Sequence, residues 1–154
     1  MATTTVQNWQ ELAATSPYQT ALAVDEALRH GDVLNARSGI EELIEALARS
    51  DKRALRSHLQ RLMLHVIKWQ AQPKKRSRSW RTSIRHARRE IAGVQEDTPS
   101  LTRAVVESMW QDCFEAAKEA AEDEMKAELP ISGLSWDDVF VTDYVLEESK
   151  NKRK

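Results

Sequence analysis

The chain has 154 residues, of which 41% are apolar and 31% charged, and its formal net charge at pH 7 is −1. This length and composition exclude a disordered or fibrous chain and predict one soluble globular domain with its own hydrophobic core. The single cysteine, Cys113, excludes an internal disulfide. No apolar run approaches the roughly 20 residues of a membrane span, and the first ten residues show no signal peptide. We therefore expect a cytoplasmic protein.

Helix signals begin close to the amino terminus. Asn8 and Glu11 have the spacing of a capping box and predict a short first turn. Ser16-Pro17 combines an N-cap residue with proline at the first helical position. Gly31 marks the end of the helix that follows.

Later elements are indicated in the same way. Thr98-Pro99 predicts a helix start, Leu129-Pro130 predicts its end, and Ser135 predicts a last short turn. After a helix start at Asp32 or Ser38, four apolar residues repeat at helical spacing, namely Ile40, Leu43, Ile44 and Leu47. The stretch either continues unbroken through Ser50-Asp51 or starts afresh with Ser50 as its cap. The predicted main helices are Pro17–His30, Arg37–Gln70, Trp80–Gln95 and Pro99–Glu128.

Two apolar seams in the centre of the chain mirror each other. One comprises Leu55, Leu59, Leu62, Val66 and Trp69, and the other comprises Trp80, Ile84, Ala87, Ile91 and Val94. Matching steps of four and three on both sides of one point are what an antiparallel helical hairpin requires. Pro73 breaks the first helix and Ser77 or Ser79 caps the second, so Trp69 and Trp80 are expected to face each other near the tip.

These signals together predict an all-α fold, a compact helical bundle built around a long antiparallel helical hairpin. The predicted organisation is a partly ordered N-terminal segment at residues 1–16, a single helical-bundle domain at 17–141, and a charged C-terminal tail at 142–154.

The hairpin region also carries a family resemblance. His65, Lys68-Trp69-Gln70, Gln72-Pro73, the run Arg76 to Arg81, and Ile84 resemble the signature of a bacterial domain-of-unknown-function family, number twenty-nine. The resemblance covers about Tyr18 to Glu128. It implies an all-helical bundle and supplies no activity, because none is assigned to the family.

Charge is divided strongly along the chain. Arg49–Arg89 holds fourteen bases and one acid, whereas Glu90–Ser149 holds sixteen acids and three bases. The basic block could bind a polyanion, or the fold could neutralise it internally. We expect neutralisation, with Arg81, Arg85, Arg88 and Arg89 pairing with acids of the fourth helix or with Glu41, Glu42 and Glu45.

The hairpin tip interleaves aromatic and basic residues, which suits phosphate contacts and base stacking. The candidate interaction patch comprises Trp69, Lys74, Lys75, Arg76, Arg78, Trp80 and Arg81. The competing interpretation is structural, with both tryptophans in the core and the cations neutralised.

Candidate metal and catalytic residues are few. His58 and His65 lie seven residues apart, on one helix face with Asp51, but no Glu-x-x-His pair accompanies them. Structural, hydrogen-bonded histidines are therefore favoured, and no metal or cofactor is predicted. Cys113 lies among apolar residues, and glycines are too scattered for a phosphate loop. No catalytic residue is predicted, and we lean away from an enzyme.

The sequence favours a small non-enzymatic helical interaction module that binds a protein partner or itself. The alternative is a nucleic-acid-associated protein that uses the basic, Trp-containing hairpin tip. A pI near 6.4 argues against dedicated nucleic-acid binding, and no membrane association is expected.

Overall fold

Residues 8–147 are described by a computed structural model, and every regular element in that range is helical. Its α-helices are α1 (Trp9–Thr15), α2 (Pro17–Arg29), α3 (Val33–Ala71), α4 (Arg78–Asp97), α5 (Arg103–Ser108), α6 (Trp110–Met125) and α7 (Trp136–Phe140), with a 3₁₀ turn at Pro73–Lys75. The predicted all-α fold is confirmed. Two compact units divide this range, unit 1 up to Lys52 and unit 2 from Arg53.

Unit 1 is built around a tryptophan. Trp9 of α1 packs with Val24 of α2 and Ala36 of α3, and its indole Nε1 donates to Asn35 Oδ1 at 2.8 Å. Gly39 of α3 lies against this group, since a Cβ there would stand 2.7 Å from Val24 Cγ2 and 2.8 Å from two Trp9 ring carbons. The missing side chain at position 39 therefore permits the close approach of three helices.

The helix ends of unit 1 follow the sequence signals. The Asn8 side chain accepts from the Glu11 backbone N–H at 3.1 Å, and Ser16 caps α2 by accepting from Gln19 at 3.1 Å. Gly31 ends α2 with a φ of 77°, a conformation that glycine adopts without steric cost. The two caps and the helix end are confirmed, because each depends on residues only a few positions apart. The full capping box is not formed at Asn8, where the Glu11 carboxylate accepts from the Asn8 side-chain amide at 3.1 Å.

Unit 2 contains the predicted hairpin. Buried residues of both seams share one core, among them Leu55, Leu59, Leu62, Val66, Trp69, Ile84, Ala87 and Ile91. Near the tip, the Lys68 ammonium lies 4.7 Å from the centre of the Trp80 ring. The bundle built on a helical hairpin is therefore confirmed.

The predicted fourth helix is wrong in its start and in its continuity. Thr98 follows α4 directly, accepts a turn hydrogen bond from Leu101 at 2.9 Å and leaves Pro99 in that turn. The helix begins at Arg103 instead, where the Thr102 side chain accepts from Val105. A turn forms here in place of the predicted helix start, because α4 continues to Asp97, two residues beyond its predicted end, and because Leu101 is buried.

The last described segment packs against the core of unit 2, to which it belongs. Ser135 and Asp138 form a capping box at the start of α7, which confirms the predicted short turn. Tyr144 is 8% exposed, and its hydroxyl donates to the Asp138 carbonyl at 2.6 Å. Of the predicted terminal segments, residues 1–7 and 148–154 lie outside the described residues; the domain boundaries stay a prediction.

Candidate functional site

The tip of the hairpin lies between α3 and α4. Ser77 caps α4 by accepting from the Trp80 backbone N–H at 3.2 Å. Arg76 is fixed from the other side, because its Nε donates to the Trp69 carbonyl at 2.8 Å and its guanidinium lies 5.1 Å from the Trp69 ring centre. Arg76 therefore holds the turn closed in addition to supplying positive charge.

The two tryptophans of the tip are engaged within the fold. Trp69 is only 3% exposed, and its ring contacts Tyr144 at a centroid distance of 5.7 Å. Trp80 is half-buried beneath the Lys68 ammonium. The expectation that Trp69 and Trp80 face each other stays a prediction, and the ring contacts found within the described residues are those to Tyr144 and Lys68. Because Trp69 is buried, its ring is not available to stack on a nucleic-acid base.

Cations dominate the accessible part of the tip. Lys74, Lys75 and Arg78 are exposed, whereas Arg81 is half-buried. Arg81 Nε is buried without a hydrogen-bond partner in the part of the chain that the structure describes. A groove of about 570 Å³ opens here, lined by Pro73, Arg76, Ser77, Arg78, Val145, Leu146 and Glu147. The candidate patch is thus a cationic surface beside a half-apolar groove.

The predicted internal neutralisation is wrong. Among residues 8–147, no ion pair joins Arg81, Arg85, Arg88 or Arg89 to an acid. Arg88 is covered by the last described segment, donates to the Val139 carbonyl at 2.7 Å and lies 5.7 Å from the Tyr144 ring centre. Burial lowers the pKa of Arg88. Arg85 and Arg89 are exposed instead.

One basic residue of the hairpin does meet α6. Lys68 is 4% exposed, and its Nζ lies 2.7 Å from Glu124 Oε1. The pair satisfies an ammonium that burial would otherwise leave without a counter-charge. It ties the tip of α3 to α6, which none of the predicted arginine pairs does.

The histidines fit the structural interpretation only in part. His65 Nδ1 lies 2.9 Å from the Arg61 carbonyl, and burial lowers its pKa. His86 Nε2 lies 3.6 Å from Glu90 Oε1, and both side chains are about half exposed. No cluster of three His, Cys, Asp or Glu side chains suited to a metal occurs between residues 8 and 147.

A second surface was missed by the sequence reasoning. On α3, Val33, Ile40, Ile44 and Leu47 are 61%, 40%, 60% and 45% exposed. Their spacings of seven, four and three residues place them on one helix face, which we call the α3 stripe.

The buried face of the same helix carries small residues, namely Ala36, Gly39 and Ala46. The apolar spacing predicted a helix here but not which of its faces is buried, and the small residues mark the buried side.

The stripe has an acidic border. A depression of about 380 Å³ is lined by Glu41, Glu42, Ile44 and Glu45. Glu45 Oε2 lies 3.5 Å from Arg49 Nη1, with both side chains largely exposed. Water screens such a pair, so it neutralises Glu45 only weakly.

The family model for the domain of unknown function DUF29 matches residues 15–148. The chain belongs to this family. The resemblance noted in the hairpin residues is thereby confirmed, and membership brings no assigned activity. No curated protein and no solved structure matches the chain. Within the described residues, no helix is both long and apolar enough to cross a membrane.

Proposed function

We propose that this DUF29 chain is a non-enzymatic interaction module that binds a protein partner or itself through the α3 stripe. The observation that carries the proposal is the exposure of four apolar side chains, each 40% or more, along one face of residues 33–47. Isolated exposed apolar residues are ordinary, but aligned groups of them mark protein-binding surfaces. Water contact with the stripe costs free energy that a partner would recover.

The chemistry of the two surfaces favours the stripe over the tip as the docking site. Interfaces concentrate their binding energy in apolar and aromatic anchors that become desolvated. The tip offers exposed cations, while its tryptophan Trp69 is already buried against Tyr144. The stripe offers Ile40, Ile44 and Leu47, none of which belongs to the buried core of its unit.

Site-specific photocrosslinking in the native cell tests this function. A photoreactive amino acid replaces Ile44 in one variant and exposed Glu119 of α6 in a matched control. We expect one reproducible adduct, to a second protein or to a second copy, from position 44 alone. The purified partner should then lose at least about tenfold in affinity for Ile40→Asp, since that change buries a charge in the interface. Equal adducts at both positions, or unchanged affinity, would refute the proposal.

A second candidate is polyanion binding by the hairpin. It is supported by Lys74, Lys75, Arg78, Arg85 and Arg89, which are exposed and have no ion pair among residues 8–147. The net charge of −1 opposes it, because nucleic-acid-binding domains are usually basic.

Binding of a labelled duplex and a single strand at two salt concentrations tests this candidate. Micromolar or tighter affinity with a steep salt dependence, abolished when Lys74, Lys75, Arg76 and Arg78 become alanine, would favour it over the interaction module.

A further inference from the structure

The acidic border of the α3 stripe restricts what can dock there. Glu41 and Glu45 each follow a stripe residue, and so lie about 100° further round the helix, along one edge of the stripe. Glu41 and Glu42 form no ion pair among the described residues. The depression at Ile44 therefore combines three carboxylates with one exposed apolar side chain.

A lysine or arginine side chain matches both the apolar and the acidic part of this depression. The aliphatic stem of such a residue packs on apolar surface while its cationic end stays among polar groups. Here the stem would cover Ile44, and the cation would meet Glu41, Glu42 or Glu45. An acidic side chain in the same place would face three like charges and lose affinity.

We infer that the α3 stripe receives an amphipathic helix of another protein, with a lysine or arginine beside its apolar seam. Apolar residues of that helix at i, i+3 or i+4, and i+7 meet Ile40, Ile44 and Leu47, the geometry by which helices dock in shallow grooves. Its basic residue enters the depression at Ile44. This inference rests on the proposed function and adds the chemical class of the partner.

A second copy of the chain fits the stripe less well. Antiparallel pairing of two α3 helices that superimposes their apolar residues sets Ile40 opposite Leu47. In an antiparallel pair the same edge of each helix faces its counterpart. The Glu41 and Glu45 edges of both copies would therefore confront each other, which favours a partner of opposite charge.

The charge of unit 1 also disfavours a polyanion at the stripe. Residues 1–52 contain eight acids and four bases, a net charge of −4. Such a surface repels phosphate backbones and anionic lipid headgroups, and it steers cationic segments toward the stripe.

Synthetic helical peptides provide the test with the full-length chain. The cationic probe is a labelled peptide of about 18 residues, with leucine at i, i+4, i+7 and i+11 and lysine beside that seam. Two matched peptides carry glutamate or glutamine in place of each lysine. Binding is followed by fluorescence anisotropy at about 50 mM and about 300 mM salt, which brackets strong and weak screening.

Matched variants separate charge from apolar contact. Glu41→Lys with Glu45→Lys reverses the acidic edge, and Glu119→Lys with Asp123→Lys reverses two exposed acids at the same spacing on α6. Ile44→Asp removes the apolar anchor. Ile44 is 60% exposed, so this variant is expected to fold.

We expect the lysine peptide to bind best, with an affinity of about 10 µM or tighter at the lower salt. Reversal of the acidic edge should weaken it about tenfold, higher salt should also weaken it, and the α6 control should change nothing. Failure of all three peptides, equal affinity for lysine and glutamate peptides, or insensitivity to edge reversal would overturn the inference.

These outcomes stay distinct from failure of the proposed function. If charge has no effect but Ile44→Asp abolishes binding, the stripe is a docking site without the inferred charge selectivity. A dimer detected by light scattering and lost in Ile44→Asp would replace the foreign helix by a second copy. The proposed function itself falls with equal photocrosslinking at positions 44 and 119, or with unchanged affinity of the crosslinked partner for Ile40→Asp.

Discussion

Gly39 provides a sharp test of the packing in unit 1. A methyl group at this position would lie 2.7 Å from Val24 Cγ2 and 2.8 Å from ring carbons of Trp9. Both neighbours are buried and stiff, so neither can move away freely. Gly93 of α4 is also inside a helix, but a Cβ there would meet nothing within 4 Å. Gly93→Ala is therefore the matched control for Gly39→Ala.

Both substitutions gain helix propensity, but only one of them overpacks the core. Replacing glycine by alanine inside a helix gains about 0.5–1 kcal/mol in intrinsic propensity at either position. Overpacking a filled core costs about 1–3 kcal/mol, and only Gly39→Ala incurs it. We therefore expect Gly93→Ala to exceed the wild type in free energy of unfolding, and Gly39→Ala to lie about 1–3 kcal/mol below Gly93→Ala.

Two measurements together locate the effect. Urea unfolding followed by circular dichroism gives the free energy of unfolding of each variant. Hydrogen exchange with mass spectrometry then reports which helices open. In Gly39→Ala, we expect faster exchange in α1 and α2 than in the wild type, with little change in α6. Equal stability of the two variants, with unchanged exchange in α1 and α2, would refute the close approach of these helices at Gly39.

Three further predictions concern unit 2. Leu62→Ala should lower the free energy of unfolding by about 2–5 kcal/mol, because Leu62 is fully buried. The control Leu34→Ala, at an 80% exposed position, should stay within about 0.5 kcal/mol of wild type. Similar losses of stability in the two variants would refute the seam register. His65 has a folded-state pKa below its ordinary value of 6.5, so its unfolded form binds the proton more readily and stability should fall as the pH drops through about 6.5. His65→Gln should reduce the difference in thermal midpoint between about pH 7.5 and pH 5.5, and an unchanged difference would contradict this. Burial raises the pKa of Cys113 to about 11, so a thiol reagent at about pH 8 should label the native chain far more slowly than the urea-unfolded chain, and equal rates would show that Cys113 is accessible.

Local signals in the sequence were sufficient wherever neighbouring residues decide the structure. The cap at Ser16 and the turn at Gly31 depend on atoms within a few residues, and the structure has both. The hairpin was also predictable, because the mirrored apolar seams Leu55–Trp69 and Trp80–Val94 bury each other when the two helices pack antiparallel. The family motif lies in the same region, so the family resemblance and the spacing of the apolar residues predicted the same fold.

The charged residues show where composition stops being informative. Equal and opposite blocks suggested ion pairs for Arg85 and Arg89, but both are exposed and unpaired within the described residues. The sequence determines total charge, whereas an ion pair requires two atoms within about 4 Å. That distance depends on how helices are rotated, as the burial of Arg88 beneath Val139 and Tyr144 illustrates.

Which face of α3 is exposed as the stripe was decided by the tertiary structure. The spacing of Ile40, Ile44 and Leu47 determined that they share a helix face, but not whether that face is buried. Trp9 determines which face of α3 is buried, because its large ring needs small residues opposite it and Gly39 leaves the required space. The apolar face of α3 is left in contact with water because close packing selected the small face for the core.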